Sequence, residues 1–519
     1  MLPTPPRRST APAPSLAPLR RRTLAEARWV NSNRSIVSPS SNPNSPARLV
    51  PSQPLPGSGA AVVQAVLARQ RPPRIPYGPN YWQWFTHNQH HGTLPPELAG
   101  CASQLEMIER LGLDVFSRNL YCDAKRCWFG GLATEVFDGI EVEEHSFEEG
   151  RDLVTERRWH TRHGDLSERL RYIFAESTLV QEKFLVGDLD ADRAAFGELV
   201  NARRWRFNAA LWQEWQARVG DRGVVNAGEL FSPLKLLHMA AGADQAVFLL
   251  ADYPEECREW MARHEAAQLD LVDQMLAAGV PVMTAMDNLD SAFHPPRYVE
   301  AYSASFYERA SRLCHECGGL FFIHACGRQR AILKQIAAYG VDGLEGVTFP
   351  PLGDVELDEA MALCGDRMVI TGGISAAEFE RLRTYTQVFD YVRGLVQRMA
   401  PYAHRFILSA SCATPYSARG PSCSISTTLG ASSAFWPSPE LGEHRRKRRS
   451  SCPVIALRSA IPGGRLETGT RNPHRPPCAA SAARARRTRA RSTRAIRRPQ
   501  SPRCHAAAIG RATGAAASE

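Results

Sequence analysis

A histidine and two cysteines stand where two predicted β-strands end, and their side chains could together bind a metal ion. The apolar run 321–325 carries His324 near its end and is followed by Cys326. Because side chains alternate along a strand, these two lie on the same face. Cys412 follows a second run, 405–411. One imidazole and two thiolates are ligands that zinc prefers, and three protein ligands leave a fourth position open, as in catalytic sites.

The same three residues also fit a site without a metal. His324 would then be a hydrogen-bonded pocket histidine, and Cys326 and Cys412 would be small buried apolar side chains. We favour the metal because the two parts of the set end different strands of one predicted sheet at the same edge.

Acidic residues at strand ends are candidates for acid–base chemistry. Glu229 ends the run 224–229, and Asp287 ends the run 282–287. Either could orient a ligand histidine or exchange a proton with a substrate. The alternative for both is a salt bridge or a cap on the following helix. Glu345, in the strand after the one that carries His324, is the third candidate catalytic acid.

Eight short β-rich runs alternate with amphipathic helical stretches and must position these side chains. This alternation is typical of a parallel sheet wound with helices, and eight runs favour an α/β fold of the (β/α)8 TIM-barrel type. In such barrels the active site lies at the carboxyl ends of the strands. The runs are residues 75–78, 114–118, 224–229, 282–287, 321–325, 343–348, 368–373 and 405–411.

The barrel pattern occupies only the middle of the 519 residues. Residues 1–56 are rich in Pro, Ser, Ala and Arg and are predicted to be disordered. Residues 57–420 form the predicted barrel domain. Residues 421–519 are an Arg-, Ala-, Pro- and Ser-rich tail, predicted to be disordered, and their composition also resembles an out-of-frame translation.

The net charge of +10 belongs to these two ends. Residues 1–56 carry 8 Arg and 1 Glu, and residues 421–519 carry 19 Lys or Arg and 4 Glu, so the middle is acidic. No nucleic-acid partner is therefore expected for the barrel. The 13 cysteines, without a secretory leader, indicate reduced thiols and a cytoplasmic protein. No apolar run reaches about 18 residues, so no membrane span is expected.

Five motifs occur in the order found in the uroporphyrinogen decarboxylase superfamily, which the chain resembles over about 360 residues. The resemblance is closest to the zinc-dependent corrinoid methyltransferase branch. The motifs are H-A-C-G at 324–327, V-D-G-L-E-G at 341–346, P-L-G-D at 351–354, T-G-G-I-S at 371–375 and C-A-T-P at 412–415.

The resemblance implies a zinc enzyme that moves a methyl group between a corrinoid protein and a thiol, phenol or similar small molecule. It assigns the zinc ligands to His324, Cys326 and Cys412, with Glu345 as a displaceable oxygen ligand. The corrinoid is expected on a separate partner protein, because the chain has no D-x-H-x-x-G cobalamin motif.

One departure from the family concerns the substrate. True decarboxylases carry an M-R-Q-A-G-R stretch whose arginines hold the porphyrinogen carboxylates, whereas this chain has Y-G-P-N-Y-W-Q-W-F at 77–85. Tyr81, Trp82, Trp84 and Phe85 suit an aryl ligand better, with ordinary packing as the alternative. The rival functions are a metal-free decarboxylase-like lyase that uses Asp287 or Glu229, and a degenerate barrel that acts as a binding protein through its basic tail.

Two further features have ordinary explanations. Cys314 and Cys317 form an isolated C-x-x-C on the helix before the His324 strand, where buried thiols on a helix face are expected. His294, in F-H-P-P, is expected in a surface loop.

Overall fold

The computed structural model describes residues 54–122, 125, 130–382 and 384–410. Strands and helices alternate through most of this part of the chain. The strands are β1 (Val115–Ser117), β2 (Ala133–Phe137), β3 (Glu141–Glu149), β4 (Asp152–Thr161), β5 (Gly164–Ile173), β6 (Thr178–Lys183), β7 (Arg203–Phe207), β8 (Gly223–Val225), β9 (Ala227–Leu230), β10 (Val282–Leu289), β11 (Leu320–Ala325), β12 (Gly343–Val347), β13 (Val369–Ile374) and β14 (Phe406–Ala410).

The helices lie between these strands and before the first of them. They are α1 (Gly59–Leu67), α2 (Trp82–His90), α3 (Gln104–Arg110), α4 (Leu189–Ala202), α5 (Ala209–Val219), α6 (Pro233–Asp252), α7 (Pro254–Ala277), α8 (Pro296–Tyr302), α9 (Ala304–Glu316), α10 (Leu333–Ala338), α11 (Leu357–Leu363), α12 (Ala376–Arg381) and α13 (Tyr385–Met399).

Parallel strands form the centre of the fold. Six of them pair in the order β9-β10-β11-β12-β13-β14, and β1 pairs with β8 in a separate two-stranded parallel sheet. Only Asn226 separates β8 from β9, and its N–H donates to the carbonyl of Ser117. The parallel α/β architecture expected from the sequence is therefore confirmed, although the strand ladders do not form one closed barrel.

Residues 76–78 connect the two parallel sheets through backbone hydrogen bonds. Tyr77 forms a parallel bridge with Leu408 of β14, and the N–H of Gly78 donates to the carbonyl of Leu408 at 3.0 Å. On its other side, the carbonyl of Tyr77 accepts from the N–H of Asp114 at 3.0 Å. This segment thus lies between β14 and the residue that precedes β1.

The two faces of the parallel strands bury different apolar clusters. We call the smaller one the inner cluster; it takes Phe116 of β1 and Phe322 of β11 together with Val63 and Val66 of α1. The large cluster on the opposite face includes Phe321 of β11 and side chains of α7 and α9. Adjacent residues of one strand thus face opposite sides, as the strand period requires. Burying each such phenylalanine contributes roughly 1.5–3 kcal/mol.

An antiparallel region interrupts the parallel strands between β1 and β8. Strand β2 pairs with β7, and β3-β4-β5-β6 form a four-stranded antiparallel sheet. Charged side chains connect its strands, as where Arg171 contacts Glu149, Asp152 and Glu182. No strand is predicted from the sequence between Arg118 and Val224, so this sheet is an addition to the predicted barrel.

Helix α6 is long and apolar enough to cross a membrane by length and composition alone, with a mean hydropathy of 1.2. Its sequence begins with a Ser232 cap and Pro233 in the first turn, both favourable at a helix start. Gly242, at φ 80°, interrupts the helical backbone. Leu237 and Leu249 pack into an apolar cluster with α4 and α7, as in a buried core helix.

Candidate active site

The inner face of the parallel strands changes from apolar to polar towards the carboxyl ends. Phe116 and Phe322 lie in the inner cluster. Arg118 follows Phe116 by two residues, and His324 follows Phe322 by two residues. Glu345 of β12 is paired with His324 across the strand ladder. Because the strand period is two, a guanidinium, an imidazole and a carboxylate reach the same level of the sheet.

These three side chains contact one another. Arg118 Nε donates to Glu345 Oε2 at 2.8 Å, and Arg118 Nη2 lies 3.2 Å from His324 Nδ1 and 3.5 Å from His324 Nε2. His324 Nδ1 also contacts Glu345 Oε2. The side chains of Arg118 and Glu345 are only 7% and 10% exposed. Removing either partner would therefore leave the other charge buried and uncompensated.

The charge state of Glu345 follows from these contacts. Burial alone would raise the pKa of Glu345, but Arg118 and His324 outweigh burial and hold that pKa well below its usual range. The group is therefore a carboxylate at neutral pH. A neutral imidazole that donates Nδ1–H to this carboxylate presents the Nε2 lone pair on its other side. That is the arrangement in which a second group fixes the orientation of a metal-binding histidine.

Cys326 begins the loop that follows β11. Its N–H donates to the carbonyl of Leu289 at 3.2 Å, which fixes the start of the loop against the end of β10. Gly327 has a φ of 98°, and a Cβ added there would lie 1.9 Å from Asp290 Oδ2. Only glycine fits this turn, which explains the glycine after the H-x-C pair.

The structure describes two of the three predicted zinc ligands. His324 lies in β11 and Cys326 directly follows this strand, whereas Cys412 lies outside the described residues. Within the described residues, no group of three or more His, Cys, Asp or Glu side chains is placed to hold a metal ion. The donors present still fit zinc in kind, since an imidazole held by a carboxylate precedes a thiol by two residues. The complete ligand set remains a prediction.

Glu229 lies at the end of β9, where it accepts backbone hydrogen bonds. Its two oxygens accept from the N–H groups of Leu132 and Ala133 at 3.2 and 3.0 Å. Gly130 approaches so closely that a Cβ there would lie 2.8 Å from Glu229 Oε2. Burial raises the pKa of Glu229 to about 7, against the effect of these hydrogen bonds. Glu229 therefore holds the segment that leads into the antiparallel region.

Asp287 is fully buried at the end of β10 and has a partner for each oxygen. Oδ1 accepts from the N–H of Ser232 at 2.8 Å, and Oδ2 accepts from the hydroxyl of Tyr307 on α9. Burial raises the pKa of Asp287, and the hydrogen bonds from Ser232 and Tyr307 oppose this rise. Asp287 thus fixes the capping residue of α6, and its hydrogen-bond partners differ from those of Arg118, His324 and Glu345.

Two basic residues at this end of the sheet, Arg118 and Lys235, were not predicted as part of the site. Arg118 was recognised only as the end of a strand, although a buried arginine beside predicted metal ligands is a signal in itself. Lys235 of α6 is half-buried, and desolvation lowers its pKa despite the nearby Asp287 and Cys326. No motif marked Lys235, because its proximity to Cys326 depends on how α6 packs.

The expectation of a surface position for His294 was wrong. His294 is 2% exposed and packs edge-to-face against His238, with 4.9 Å between ring centroids. Burial, together with the positive charge of Lys235, lowers the pKa of His238 to about 4. Burial, with contributions from His238 and Lys235, lowers the pKa of His294 to about 3. Both rings are therefore neutral at physiological pH.

The aromatic residues 81–85 are mostly engaged in packing. Tyr81, Trp84 and Phe85 belong to the large apolar cluster. Trp82 and Phe85 also border a cavity of about 240 Å³. Ordinary packing thus accounts for three of the four aromatic side chains.

The C-x-x-C pair lies at the end of α9, as expected. Cys314 is buried in the large cluster, and burial raises its pKa to about 12. Cys317 is exposed at the helix end, so the expected burial was wrong for this residue. Cys314 therefore packs as a small apolar residue on the buried face of the helix.

Part of this chain matches the model of a known protein family, and solved structures of other proteins are similar to the chain. A search of curated protein sequences finds no match. Among solved structures, a methyltransferase from Methanosarcina mazei is similar at 12% sequence identity and a TM-score of 0.42, over 73% of this chain and 99% of that chain. A mandelate racemase/muconate lactonizing enzyme-like protein from Rubrobacter xylanophilus is similar at 15% identity and a TM-score of 0.18, over 56% and 85%.

The similarity to a family comes from the sequence of the region that carries the site. Residues 216–419 match the family model of uroporphyrinogen decarboxylase (URO-D). This region contains the predicted metal ligands and the three candidate acids. The resemblance inferred from the motifs is therefore confirmed for residues 216–419, which are similar to the uroporphyrinogen decarboxylase family.

Proposed function

We propose that the protein is a zinc-dependent methyltransferase of the uroporphyrinogen decarboxylase-like family, which moves a methyl group between a corrinoid protein and a thiol, phenol or similar acceptor. The observation that carries this proposal is the pairing of His324 with Glu345, two residues before Cys326. Similarity to the family supports an enzyme. A cytoplasmic location and a separate corrinoid partner protein belong to the same proposal.

The residues of the chain have distinct tasks in this proposal. His324, Cys326 and Cys412 hold the zinc, which supplies a Lewis acid that lowers the pKa of a bound thiol or hydroxyl. Glu345 keeps the imidazole in one orientation by accepting a hydrogen bond from its Nδ1–H. Arg118 compensates the charge of Glu345, so that the carboxylate stays ionised in a buried place.

The charge distribution favours this function over a porphyrinogen lyase. A substrate with many carboxylates requires cations that are available to it. Arg118 is already paired with Glu345, and Lys235 has Asp287 and Cys326 as neighbours. These two cations are therefore engaged by groups of the protein itself. A less charged acceptor is the better match.

We also propose that the parallel strands form a closed barrel, in which residues 76–78 join β14 to the segment before β1. Hydrogen bonds join this segment to Leu408 on one side and to Asp114 on the other. Phe116, Val224 and Ile407, from three different strands, meet in the inner cluster beside α1. Side chains that converge from several strands are typical of a barrel interior. The site would then lie at the mouth of this barrel.

Metal analysis of the purified full-length chain tests the proposal. We expect about one zinc per chain, and loss of most of that zinc in Cys326→Ser and in Cys412→Ser, because serine is a far poorer zinc ligand. Affinity should fall as the pH is lowered, since the thiols and the imidazole must lose protons to bind. Methyl transfer from a methylated corrinoid should fall with the zinc content.

Cys317→Ser is the matched control, because Cys317 is exposed at the end of α9. It should keep the full zinc content and an unchanged circular dichroism spectrum. Cys314 is a less suitable control, since it is buried and its replacement would disturb packing. Full zinc retention in both Cys326→Ser and Cys412→Ser would reject the site.

A further inference from the structure

Cys326 lies just beyond the last backbone pair between β11 and β10, where Ala325 is paired with Leu289. His324, by contrast, is paired with Glu345 within the strand ladder. Zinc binds sulfur at about 2.3 Å, and a zinc site allows its ligands deviations of only about 0.2 Å. The ladder alone therefore does not fix the Cys326 thiol, and its position depends on the turn that follows it.

Residues 348–354, which we call the clamp loop, follow β12 and lie against this turn. The N–H of Gly327 donates to Thr348 Oγ1 at 3.3 Å. A Cβ added to Gly353 would lie 2.9 Å from the carbonyl oxygen of Gly327 and 2.0 Å from that of Thr348. Only glycine allows the backbone of the clamp loop to come this close to the turn.

Asp354, the last residue of the clamp loop, holds the other end of the turn with its carboxylate. Its Oδ1 accepts from the N–H of Gln329 at 2.7 Å and from the N–H of Arg330 at 3.1 Å. At the first residue of the turn, the N–H of Cys326 donates to the carbonyl of Leu289 at 3.2 Å. The turn from Cys326 to Arg330 is thus held at both ends.

The clamp loop is itself anchored in the large apolar cluster. Phe349 near its start is 6% exposed, and Val355 directly after it is fully buried. Within the loop, the N–H of Gly353 donates to the carbonyl of Phe349 at 3.0 Å. Because its own backbone is held in this way, Asp354 can impose a position on the turn, as a supporting residue must.

We propose that Asp354 is a positioning residue for the Cys326 thiol, which it holds in place for zinc through the two hydrogen bonds that it accepts from the turn. The role needs an acceptor and not a charge, since a neutral oxygen in the same place accepts the same two hydrogen bonds. Gly353 has a part in it, because it brings the loop close enough. This inference rests on the proposed function for the metal.

The first test compares Asp354→Ala with Asp354→Asn in the full-length chain, by competition with a chelator of known zinc affinity. Asp354→Ala should bind zinc at least about tenfold more weakly, as expected for loss of a group that supports a metal ligand. Asp354→Asn should keep most of the affinity, because its Oδ1 still accepts from both N–H groups. Equal losses in the two variants, or full affinity in Asp354→Ala, would overturn the proposal.

Glu359→Gln is the matched control, because Arg330 contacts both acidic residues. The guanidinium donates to the carbonyl of Asp354 at 2.9 and 2.6 Å and pairs with the carboxylate of Glu359. Glu359→Gln removes this ion pair and leaves both hydrogen bonds of the Asp354 carboxylate, so the zinc affinity should equal that of the parent protein. A loss as large as that of Asp354→Ala would place the effect in the Arg330 side chain and reject the role of Asp354.

Hydrogen exchange of the zinc-depleted parent protein tests the same point without any variant. The N–H groups of Gln329 and Arg330 should exchange slowly before zinc is added, because Asp354 already holds them. In Asp354→Ala their exchange should be faster, and in Asp354→Asn it should stay slow. Fast exchange in the parent protein that slows only when zinc is added would show that the metal orders the turn, which contradicts the proposal.

The two proposals fail in different ways. One zinc per chain in the parent protein, bound with equal affinity by Asp354→Ala, would reject the role of Asp354 and keep the zinc function. A parent protein that neither contains nor takes up zinc would reject the zinc function, and the role of Asp354 with it.

Discussion

His324 and Glu345 occupy paired positions on neighbouring parallel strands, and the imidazole Nδ1 contacts the carboxylate. The backbone ladder of β11 and β12 therefore sets this contact, without any help from a loop. Sites that rest on strands hold their geometry more closely than sites on loops. The pair is thus a preformed element of the proposed zinc site.

Glu345→Gln should weaken zinc binding by about 10–100-fold, the usual effect of losing a group that orients a metal-bound histidine. Glutamine keeps the shape but cannot provide the charge that Arg118 and His324 contact. Competition with a chelator of known affinity measures the change. Glu359→Gln, which alters an exposed pair with Arg330, should leave the affinity as it is. An unaltered affinity in Glu345→Gln would separate this carboxylate from the metal.

Arg118→Met should lower the free energy of unfolding by about 3–5 kcal/mol, because it leaves the carboxylate of Glu345 buried without its cation. Urea denaturation measures this difference. The matched surface change is Arg330→Met, whose partner Glu359 is solvent-accessible, and it should cost no more than about 1 kcal/mol. Similar losses for the two variants would mean that Glu345 reaches solvent or another partner.

Glu229 should make stability depend on pH between about 4.5 and 7. Burial raises its folded-state pKa from 4.5 to about 7, so in this range the folded protein keeps a proton that the unfolded chain has released. The stabilising contribution of this proton is complete below 4.5 and is lost as the pH rises to 7. Glu229→Gln removes the titration.

The difference in the free energy of unfolding between Glu229→Gln and the parent protein separates the titration of Glu229 from that of the other groups. Relative to the parent, the variant should gain stability from pH 5 to pH 8, on the order of 3 kcal/mol. Urea denaturation at each pH measures it. A constant difference across this range would contradict the raised pKa.

Tyr307→Phe should lower the free energy of unfolding by about 1–3 kcal/mol, since Oδ2 of the buried Asp287 loses its donor. Zinc content and methyl transfer should change little, because the Tyr307 hydroxyl bonds Asp287 and does not take part in the contact between His324 and Glu345. Tyr298→Phe is the control on the neighbouring helix α8. Loss of activity without loss of stability in Tyr307→Phe would instead support the predicted catalytic part of Asp287.

The parallel strands and the position of His324 were predictable because both follow from local patterns. Short apolar runs at regular intervals mark the strands, and the period of two gives the side of the sheet on which His324 lies. The same period puts Arg118 on the inner face, two residues after Phe116. Predicting that Arg118 lies on the same face as His324 also requires knowing how β1 pairs with the other strands. No local sequence pattern gives this pairing.

The antiparallel region was not predictable from the same signals. Strand β3 alternates weakly, with charged residues on both faces, and most of its side chains are exposed. Ion pairs hold it to the neighbouring strand β4, such as the pair of Glu144 on β3 with Arg157 on β4. Such pairs appear only after the strands are aligned, whereas hydrophobic periodicity is visible in a single segment. The burial of His294 likewise depends on contacts with the distant His238.

The placement of the antiparallel region between β1 and β8 has a consequence for folding order. Strands β10 to β14 follow one another closely along the chain and pair with their sequence neighbours. Ser117 must instead pair with Val225, which lies more than a hundred residues later in the chain. Tyr77 must pair with Leu408, near the other end of the described chain. Contacts between distant residues carry a larger entropy cost and form later than local ones. The strands that carry His324 and Glu345 should therefore assemble early, and the arrival of Arg118 should complete the cluster only after the intervening sheet has folded.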